Sequence, residues 1–427
     1  MSITARARIE LPSAQDFLLW PPGLQAWGYR IVDQLFASRT IRCSGTPRAL
    51  PRGPELEVCY QSQGRGRSIA EFIERNHAAG LLVIDQGRIV CERYALGLGE
   101  HERWSTMSTI KSMTAMLVGV ALREGAIESL DDPVTAYLPE LSGSAYQRVT
   151  IRHLLTMSSG TRWTETYDDP GSDVNRYSRS LAQRVPGGIV SLMRELPAVH
   201  APGSAFLYNS GDSYLLGALV SAATGRRLAD FMSERIWQPF GMECDAYYTL
   251  ESEGGQEIGG SRAGMCLRDF GRFALYVLGD GVIGGRETLP RGWVRDCATP
   301  AFPVTDPARL AEGIAGYGYS WWIGDDDSMN ALGFAGQRIW IDRNRGTIIV
   351  ILSAVPQPPF LSPAYPDFAA ETRSLIAAIR DRTLTRRCAA KRPPPLDANT
   401  SERRACCPAT RLACLPERYF QANFGCS

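Results

Sequence analysis

Strand-like apolar runs at both ends of the chain enclose a long region with helical spacing. After a proline-rich arm at residues 1 to 60, "GLLVIDQGRIVCERYALG" contains two β-type runs joined across Asp85-Gln86-Gly87, which predicts a hairpin. From Ser108 to Gly125, apolar residues recur at three- and four-residue steps. This pattern predicts a buried helix with Ser108 near its N-terminus. Helical signals then continue to about residue 240.

Strand signals return in the last third of the body. They are "YGYSWWI", "NALGF", "QRIWIDRN" and "GTIIVILSAV", the last a run typical of a central strand, and a helix at "AAETRSLIAAIRD" follows. Strands from both ends of the chain therefore predict one sheet with an inserted helical region at about 105 to 240. The predicted fold class is α+β, with the main domain at residues 61 to 385 and the arm of residues 1 to 60 packed on it.

The last forty residues differ in composition from the body. Residues 386 to 427 are rich in Cys, Pro and Arg and lack a hydrophobic period, which predicts a disordered extension. A zinc site there is an alternative that its irregular cysteine spacing and lack of histidine disfavour. The six cysteines of the body lack Cys-x-x-Cys spacing, so we interpret them as buried hydrophobic residues.

Charge and hydropathy exclude several classes of partner. The net charge of +1 indicates neither a nucleic acid nor an anionic membrane surface. No apolar run reaches the roughly 18 residues of a membrane span, and "MSITARARIELPSAQDFLLWPPG" lacks the apolar core of a secretory signal. A cytoplasmic location is therefore predicted.

The use of lysine points to the first candidate for chemistry. The chain contains only two lysines, Lys111 and Lys391, and all its other basic residues except histidine are arginine. Unlike arginine, a lysine in a dry pocket can give up its proton near neutral pH. Ser108 lies three residues before Lys111, and positions three apart share one face of a helix. The sequence therefore predicts proton transfer between Ser108 and Lys111.

Further motifs follow Ser108 in a fixed order. They include "RHLLTMSSGTRWTETYDDPGSDV" and "PGSAFLYNSGDSYLLGALVSAATG", and the arm contains "WPPGLQAWGYRIVDQLFASRTI". Together with Ser-x-x-Lys, these motifs resemble the serine β-lactamase and penicillin-binding superfamily, most of all its branch of 6-aminohexanoate-dimer hydrolases and related esterases. The resemblance covers roughly residues 15 to 380. It implies a mainly antiparallel sheet flanked by helices, with neither cofactor nor metal.

The resemblance also implies roles for individual residues. Ser108 would be the nucleophile, Lys111 and Tyr208 its proton relay, and the main-chain N–H groups of Ser108 and Gln337 the oxyanion donors. Gly336 and Ser210 would lie against the substrate. The superfamily's Lys-Thr-Gly motif falls at "GFAGQ", residues 333 to 337, where Phe334 replaces the cation that helps to hold a β-lactam or D-Ala carboxylate.

Tyr167 is a candidate for binding the substrate. It lies in "TRWTETYDDPGSD", and loops rich in Trp, Tyr and Asp often form lids over active sites. A surface tyrosine would fit the same pattern. The adjacent Asp168 and Asp169 would favour a cationic substrate end or form a solvated turn.

Rival functions remain open at this point. The favoured function is a serine hydrolase of small esters or linear amides, and a β-lactamase or D-Ala peptidase is the alternative within that class. A non-catalytic binding or regulatory member of the fold is the alternative from another class. The chain lacks a Gly-x-Ser-x-Gly elbow and His-x-x-x-His spacing, which disfavours a Ser-His-Asp hydrolase and a metalloenzyme. Whether the chain forms a homodimer stays open.

Overall fold

A computed structural model describes residues 13–356 and 365–390. The tail was predicted to begin at residue 386, but residues 386–390 are the end of a helix, Tyr365–Ala390. The rest of the predicted tail, from residue 391, and residues 1–12 of the predicted arm lie outside the described range. The described residues up to Thr385 form one compact unit. Among the described residues, no helix is long and apolar enough to cross a membrane.

Helices dominate the middle of the chain. In chain order the α-helices are α1 (Pro22–Gly28), α2 (Val32–Leu35), α3 (Ile69–Arg75), α4 (Ile110–Arg123), α5 (Ile151–Leu155), α6 (Asp173–Ala182), α7 (Gly188–Glu195), α8 (Ser210–Thr224), α9 (Leu228–Met232), α10 (Gln238–Phe240), α11 (Leu267–Leu278), α12 (Trp293–Cys297), α13 (Pro307–Ala311) and α14 (Tyr365–Ala390). Short 3₁₀ turns precede or join several of them, and one π-helical turn, Ser233–Trp237, joins α9 to α10.

The strands form one large sheet and three small ones. They are β1 (Ser38–Ile41), β2 (Cys59–Ser62), β3 (Arg65–Ser68), β4 (Ala78–Asp85), β5 (Arg88–Tyr94), β6 (Trp104–Ser105), β7 (Ala246–Thr249), β8 (Gly264–Met265), β9 (Val282–Ile283), β10 (Arg286–Glu287), β11 (Phe302–Pro303), β12 (Ile314–Tyr317), β13 (Trp322–Gly324), β14 (Met329–Gly333), β15 (Gln337–Asp342) and β16 (Thr347–Ser353). The large sheet has the order β11-β12-β13-β14-β15-β16-β4-β5, and β1-β7-β8-β6 form a second sheet.

The large sheet combines strands from the N-terminal and C-terminal parts of the body, as predicted. The hairpin β4–β5 turns at Gln86-Gly87, and β4 pairs antiparallel with β16. Side chains of β16 alternate between two cores: Ile349 and Ile351 pack with α3 and α14, whereas Val350 and Leu352 pack into the main core. Because both faces are covered, the strand is a continuous apolar run, as expected for a central strand.

The elements around Ser108 are held in the main core. Most of α4 is buried, and it packs against α8. Strand β6, directly before Ser108, pairs with β8 through Trp104 and Met265. The arm contributes Phe17 and Phe36 to the same core. The start of α4 is therefore fixed from several sides, which restricts the movement of Ser108.

Candidate active site

Ser108 and Lys111 meet at the start of α4. Ser108 lies in the 3₁₀ turn Met107–Thr109, directly before α4, and Met107 has a positive φ of 46°. Lys111 Nζ donates a hydrogen bond to Ser108 Oγ at 3.0 Å. The predicted pair is therefore in direct contact. The positive φ at Met107 is a strained conformation of the kind that clusters at active sites.

Lys111 is enclosed by hydrogen-bond acceptors. Its Nζ also donates to Ser210 Oγ at 3.1 Å and to the Gly260 carbonyl at 2.6 Å, and the residue is only 2% exposed. Burial lowers the pKa of Lys111 to about 8. A buried ammonium loses its hydration, which favours the neutral amine. Near neutral pH a usable fraction of Lys111 is therefore the free base that a serine nucleophile requires.

The ring of Tyr208 lies next to the Lys111 ammonium group. Lys111 Nζ is 5.2 Å from the centroid of the Tyr208 ring, and this ring stacks on Trp322 at 5.3 Å. Burial raises the pKa of Tyr208 strongly, although its contact with Ser108 lowers it in part. Tyr208 is thus protonated at neutral pH and placed to donate a proton.

Glu165 connects several predicted residues. Its Oε1 accepts hydrogen bonds from Ser210 Oγ at 2.6 Å and from the Tyr167 hydroxyl at 3.0 Å, and its Oε2 accepts one from the indole of Trp163. Glu165 also acts electrostatically on Lys111, whose pKa it raises. The carboxylate therefore partly offsets the effect of burial on the lysine.

A cleft opens in front of Ser108. Tyr208, Tyr167, Phe334 and Gly336 share its wall with Ser108. The rings of Tyr167 and Phe334 are 4.6 Å apart. The described structure thus brings the predicted substrate residues Tyr167 and Gly336 to the same cleft as the candidate nucleophile.

Gln337 also lines this cleft, but its side chain is occupied. Its Oε1 accepts hydrogen bonds from Trp104 Nε1 at 2.8 Å and from the Ser353 N–H at 3.0 Å. Its Nε2 donates to the carbonyls of Phe334 and Ser353 at 2.8 and 2.7 Å. The side-chain amide has no capacity left for a substrate. An oxyanion role for Gln337 through its main-chain N–H stays a prediction.

Sequence reasoning missed two partners of the site. The carbonyl of Gly260 accepts a hydrogen bond from Lys111 Nζ. Gly260 is 149 residues away in the sequence, and no local sequence pattern predicts this contact. Glu165 lies two residues before Tyr167, in the loop singled out as a candidate lid. The acidic pair noted there is exposed, whereas Glu165 faces the site. Ser210 joins Lys111 to Glu165.

A group of three described side chains offers metal-type ligands elsewhere. Ligand atoms of Cys244, Cys266 and Asp269 lie within 4.8 Å of one another. The Asp269 carboxylate already accepts hydrogen bonds from the N–H groups of Glu243 and Cys244 and from the Cys266 thiol. These bonds account for the burial of Asp269 without an ion. None of the three residues lines the cleft of Ser108.

Comparison with known proteins fixes the family. The Beta-lactamase family pattern matches residues 67–373, which is more than half of the chain. The chain belongs to the Beta-lactamase family. This confirms the superfamily resemblance and the α+β fold class, and it makes the protein a serine hydrolase of the β-lactamase-related type.

Relatives of this Beta-lactamase family hydrolase include amide and ester hydrolases. The 6-aminohexanoate-dimer hydrolase of Paenarthrobacter ureafaciens is 28% identical over 344 residues, covering 78% of this chain and 86% of its own. Esterase EstB of Burkholderia gladioli is 29% identical over 197 residues, 42% of this chain and 50% of its own.

Solved structures agree with the fold. A Bacillus anthracis protein provisionally assigned as a 6-aminohexanoate-dimer hydrolase superposes with a TM-score of 0.73 at 23% identity, over 88% of this chain and 98% of its own. EstCE1, a hydrolase with promiscuous acyltransferase activity, has a TM-score of 0.56 at 16% identity, over 71% of this chain and 96% of its own. These similarities concern the fold alone.

Proposed function

We propose that this hydrolase cleaves small esters or linear amides through an acyl-enzyme on Ser108. The observation that carries the proposal is the 3.0 Å contact between Ser108 Oγ and Lys111 Nζ, at a lysine whose pKa burial lowers to about 8. A serine is a weak nucleophile until a neighbouring base takes its proton. In this arrangement Lys111 is that base.

Acylation then follows from the positions of three side chains. Ser108 Oγ attacks the carbonyl carbon and passes its proton to Lys111, while the oxyanion binds to the main-chain N–H groups of Ser108 and Gln337. The tetrahedral intermediate collapses, the bond to the leaving group breaks, and Tyr208 donates the proton that this group needs. Lys111 reprotonates Tyr208, which restores both residues.

Deacylation uses the same groups in the opposite order. Water gives a proton to the relay of Tyr208 and Lys111 and attacks the acyl carbon. The second tetrahedral intermediate expels Ser108 Oγ, which takes its proton back. The relay thus needs no histidine, metal ion or cofactor in this proposal.

The cleft disfavours substrates whose carboxylate must be held as in β-lactamases. Phe334, at the position where the superfamily carries a cation, packs on Tyr167 within the wall. Arg309 and Arg338 also line the cleft, but both form ion pairs with Glu312. A substrate carboxylate held as in β-lactamases would therefore compete with an existing carboxylate. The relatives named 6-aminohexanoate-dimer hydrolase and esterase EstB support the proposal of ester and amide substrates.

The test of the proposal is covalent labelling. Wild type, Ser108→Ala and Ser204→Ala, which changes an exposed serine, are treated with a fluorophosphonate and weighed by intact-protein mass spectrometry. Turnover of p-nitrophenyl butyrate is recorded in parallel. We expect one adduct and ester turnover in wild type and Ser204→Ala, and neither in Ser108→Ala. Absence of both from folded wild type would favour a non-catalytic binding member of the fold.

The lysine has a test of its own. Lys111→Arg keeps the positive charge but removes the group that can lose a proton near neutral pH. We expect the rate of acylation to fall by roughly 10²–10⁴, the usual contribution of a general base. Pre-steady-state release of p-nitrophenol measures this rate, and circular dichroism checks the fold. Near-normal acylation by a folded Lys111→Arg protein would remove Lys111 from the mechanism.

A further inference from the structure

A second cavity meets the site from the side of the N-terminal arm. Ser108, Glu165 and Ser210 line it, and so do Arg262 and Tyr177. Its remaining wall is mainly apolar and includes Leu18, Met107, Val174 and Phe334. The acyl chain of a substrate attached to Ser108 can therefore enter this cavity. Most of its wall is apolar, and the guanidinium of Arg262 forms part of it.

Arg262 is an unusual residue for a protein interior. It is 2% exposed, and its φ is positive, 58°. Nη2 donates to Ser178 Oγ at 2.6 Å, and the guanidinium carbon lies 5.1 Å from the Phe36 ring and 5.6 Å from the Phe17 ring. Among the described residues it has no carboxylate partner, and its Nε and Nη1 have no hydrogen-bond partner. Buried charges are normally paired.

Two further polar groups lie beside Arg262. The hydroxyls of Tyr177 and Ser261 line the same cavity, are buried and lie close to each other, and neither has another hydrogen-bond partner among the described residues. Burial raises the pKa of Tyr177 to about 12 and lowers that of Arg262 to about 10. At neutral pH the wall therefore presents hydrogen-bond donors and one positive charge.

Glu165, the acidic residue in the same wall, does not serve as their acceptor. Its two carboxylate oxygens accept hydrogen bonds from Ser210, Tyr167 and Trp163. The carboxylate of Glu165 thus has three hydrogen-bond donors, whereas the guanidinium of Arg262 has no carboxylate partner among the described residues. Unsatisfied buried donors next to a cavity call for an acceptor that the protein itself does not supply.

We infer that the cavity beside Arg262 binds a carboxylate at the far end of the substrate's acyl chain. The favoured substrates are then half-esters or half-amides of aliphatic dicarboxylic acids. This inference rests on the proposed acyl transfer to Ser108. Ser178 and the two aromatic rings alone would make Arg262 a structural residue, but they leave the donors at Nε and Nη1 unused. A planar carboxylate matches two guanidinium N–H groups at once.

Three esters with acyl chains of equal length test the effect of the charge at the end of the acyl chain. They are the p-nitrophenyl ester of hexanoate, the mono-p-nitrophenyl ester of adipate and the p-nitrophenyl ester of 6-aminohexanoate, which end in a methyl group, a carboxylate and an ammonium. We expect kcat/KM of the adipate ester to exceed that of each of the others by tenfold or more, as one charge-assisted pair in a buried site provides.

Arg262→Met tests the residue responsible. We expect the ratio of adipate to hexanoate kcat/KM to fall tenfold or more toward one. The ratio is the proper readout, because the loss of Arg262 also changes the pKa of Lys111, which affects all three esters equally. Arg176→Met, on the helix that carries Tyr177 but outside the cavity lining, is the control and should keep the ratio.

The outcomes separate this inference from the proposed function. Hydrolysis of all three esters with hexanoate or 6-aminohexanoate preferred would overturn the carboxylate site and leave the serine hydrolase intact. If no ester is turned over and no fluorophosphonate adduct forms, the proposed function fails. Thermal stabilisation by monomethyl adipate, compared with methyl hexanoate, in Ser108→Ala and in Ser108→Ala/Arg262→Met then decides the site. Stabilisation that depends on Arg262 supports it, and its absence contradicts it.

Discussion

Lys111 is subject to opposing electrostatic influences at close range. Burial has the largest effect and lowers its pKa, and Arg262 acts in the same direction. Glu165 raises the pKa. The resulting value of about 8 leaves part of the lysine neutral near pH 7 and most of it neutral above pH 8. The pKa of Lys111, the proposed base, is thus tuned by two charges that are distant in sequence.

The pH dependence of acylation follows from this balance. In the proposed mechanism neutral Lys111 is the active form, so we expect the acylation rate to rise about tenfold per pH unit below pH 8 and to level off above it. Glu165→Gln removes a charge that favours the protonated lysine, so the midpoint should move to lower pH. Stopped-flow acylation between pH 5.5 and 9.5 measures both. Glu195→Gln, an exposed control, should keep the wild-type midpoint, and a shift to higher pH in Glu165→Gln would contradict the assignment.

At the scale of elements, the turn between β14 and β15 shapes the cleft. Ala335 and Gly336 both have positive φ, 63° and 90°. A Cβ on Gly336 would lie 2.8 Å from Phe368 Cζ and 3.0 Å from Ser353 Cβ. Residue 336 must therefore lack a side chain, because both its backbone conformation and its neighbours exclude one. The structure thus explains why position 336 keeps the glycine of the superfamily motif.

Gly336→Ala should deform this part of the wall. We expect a loss of about 1–3 kcal/mol in the free energy of unfolding, from backbone strain and overpacking together. The KM for esters should rise as well, since the turn lines the cleft. Gly284→Ala is the matched control, because Gly284 also has positive φ but no neighbour within 4 Å of a Cβ. Urea unfolding compares the two, and equal losses would show that strain alone matters.

At the scale of the whole molecule, a buried carboxyl joins parts of the helical region. Asp212, in the first turn of α8, is fully buried and accepts a hydrogen bond from the Tyr146 hydroxyl at 2.6 Å. Tyr146 also contacts Thr161 Oγ1 at 3.1 Å. Burial raises the pKa of Asp212 to about 7. The folded protein thus keeps a proton on Asp212 that the unfolded chain releases near pH 4.

This proton makes stability depend on pH. Between about pH 4 and 7 the folded state binds more protons at Asp212, so its contribution to the free energy of unfolding falls as pH rises, by at most about 1.4 kcal/mol per unit. Asp212→Asn cannot titrate and lacks this decline. We expect wild type to lose stability relative to Asp212→Asn between pH 4.5 and 7, measured by urea unfolding. Parallel curves would show that Asp212 is ionised in the folded protein.

Sequence alone predicted much of this fold, because its signals are local. The hairpin, the apolar run of β16 and the helical spacing after Ser108 each follow from side-chain period, which the backbone geometry dictates. Ser108 and Lys111 were predictable for the same reason, since three residues on a helix fix their separation. Tyr208, Tyr167 and Gly336 came from the order of motifs shared with a family, and not from spacing.

Contacts between distant segments were decided by the tertiary structure. Gly260 and Ser210 reach Lys111, and Glu165 reaches Ser210, only after the chain has folded. Burial sets the pKa values of Lys111 and Asp212, and burial depends on packing that no single segment encodes. The charges of Glu165 and Arg262 are plain in the sequence, but their effect depends on distance and on exclusion of water. Sequence thus determined which groups can react, and tertiary structure decided which of them act together.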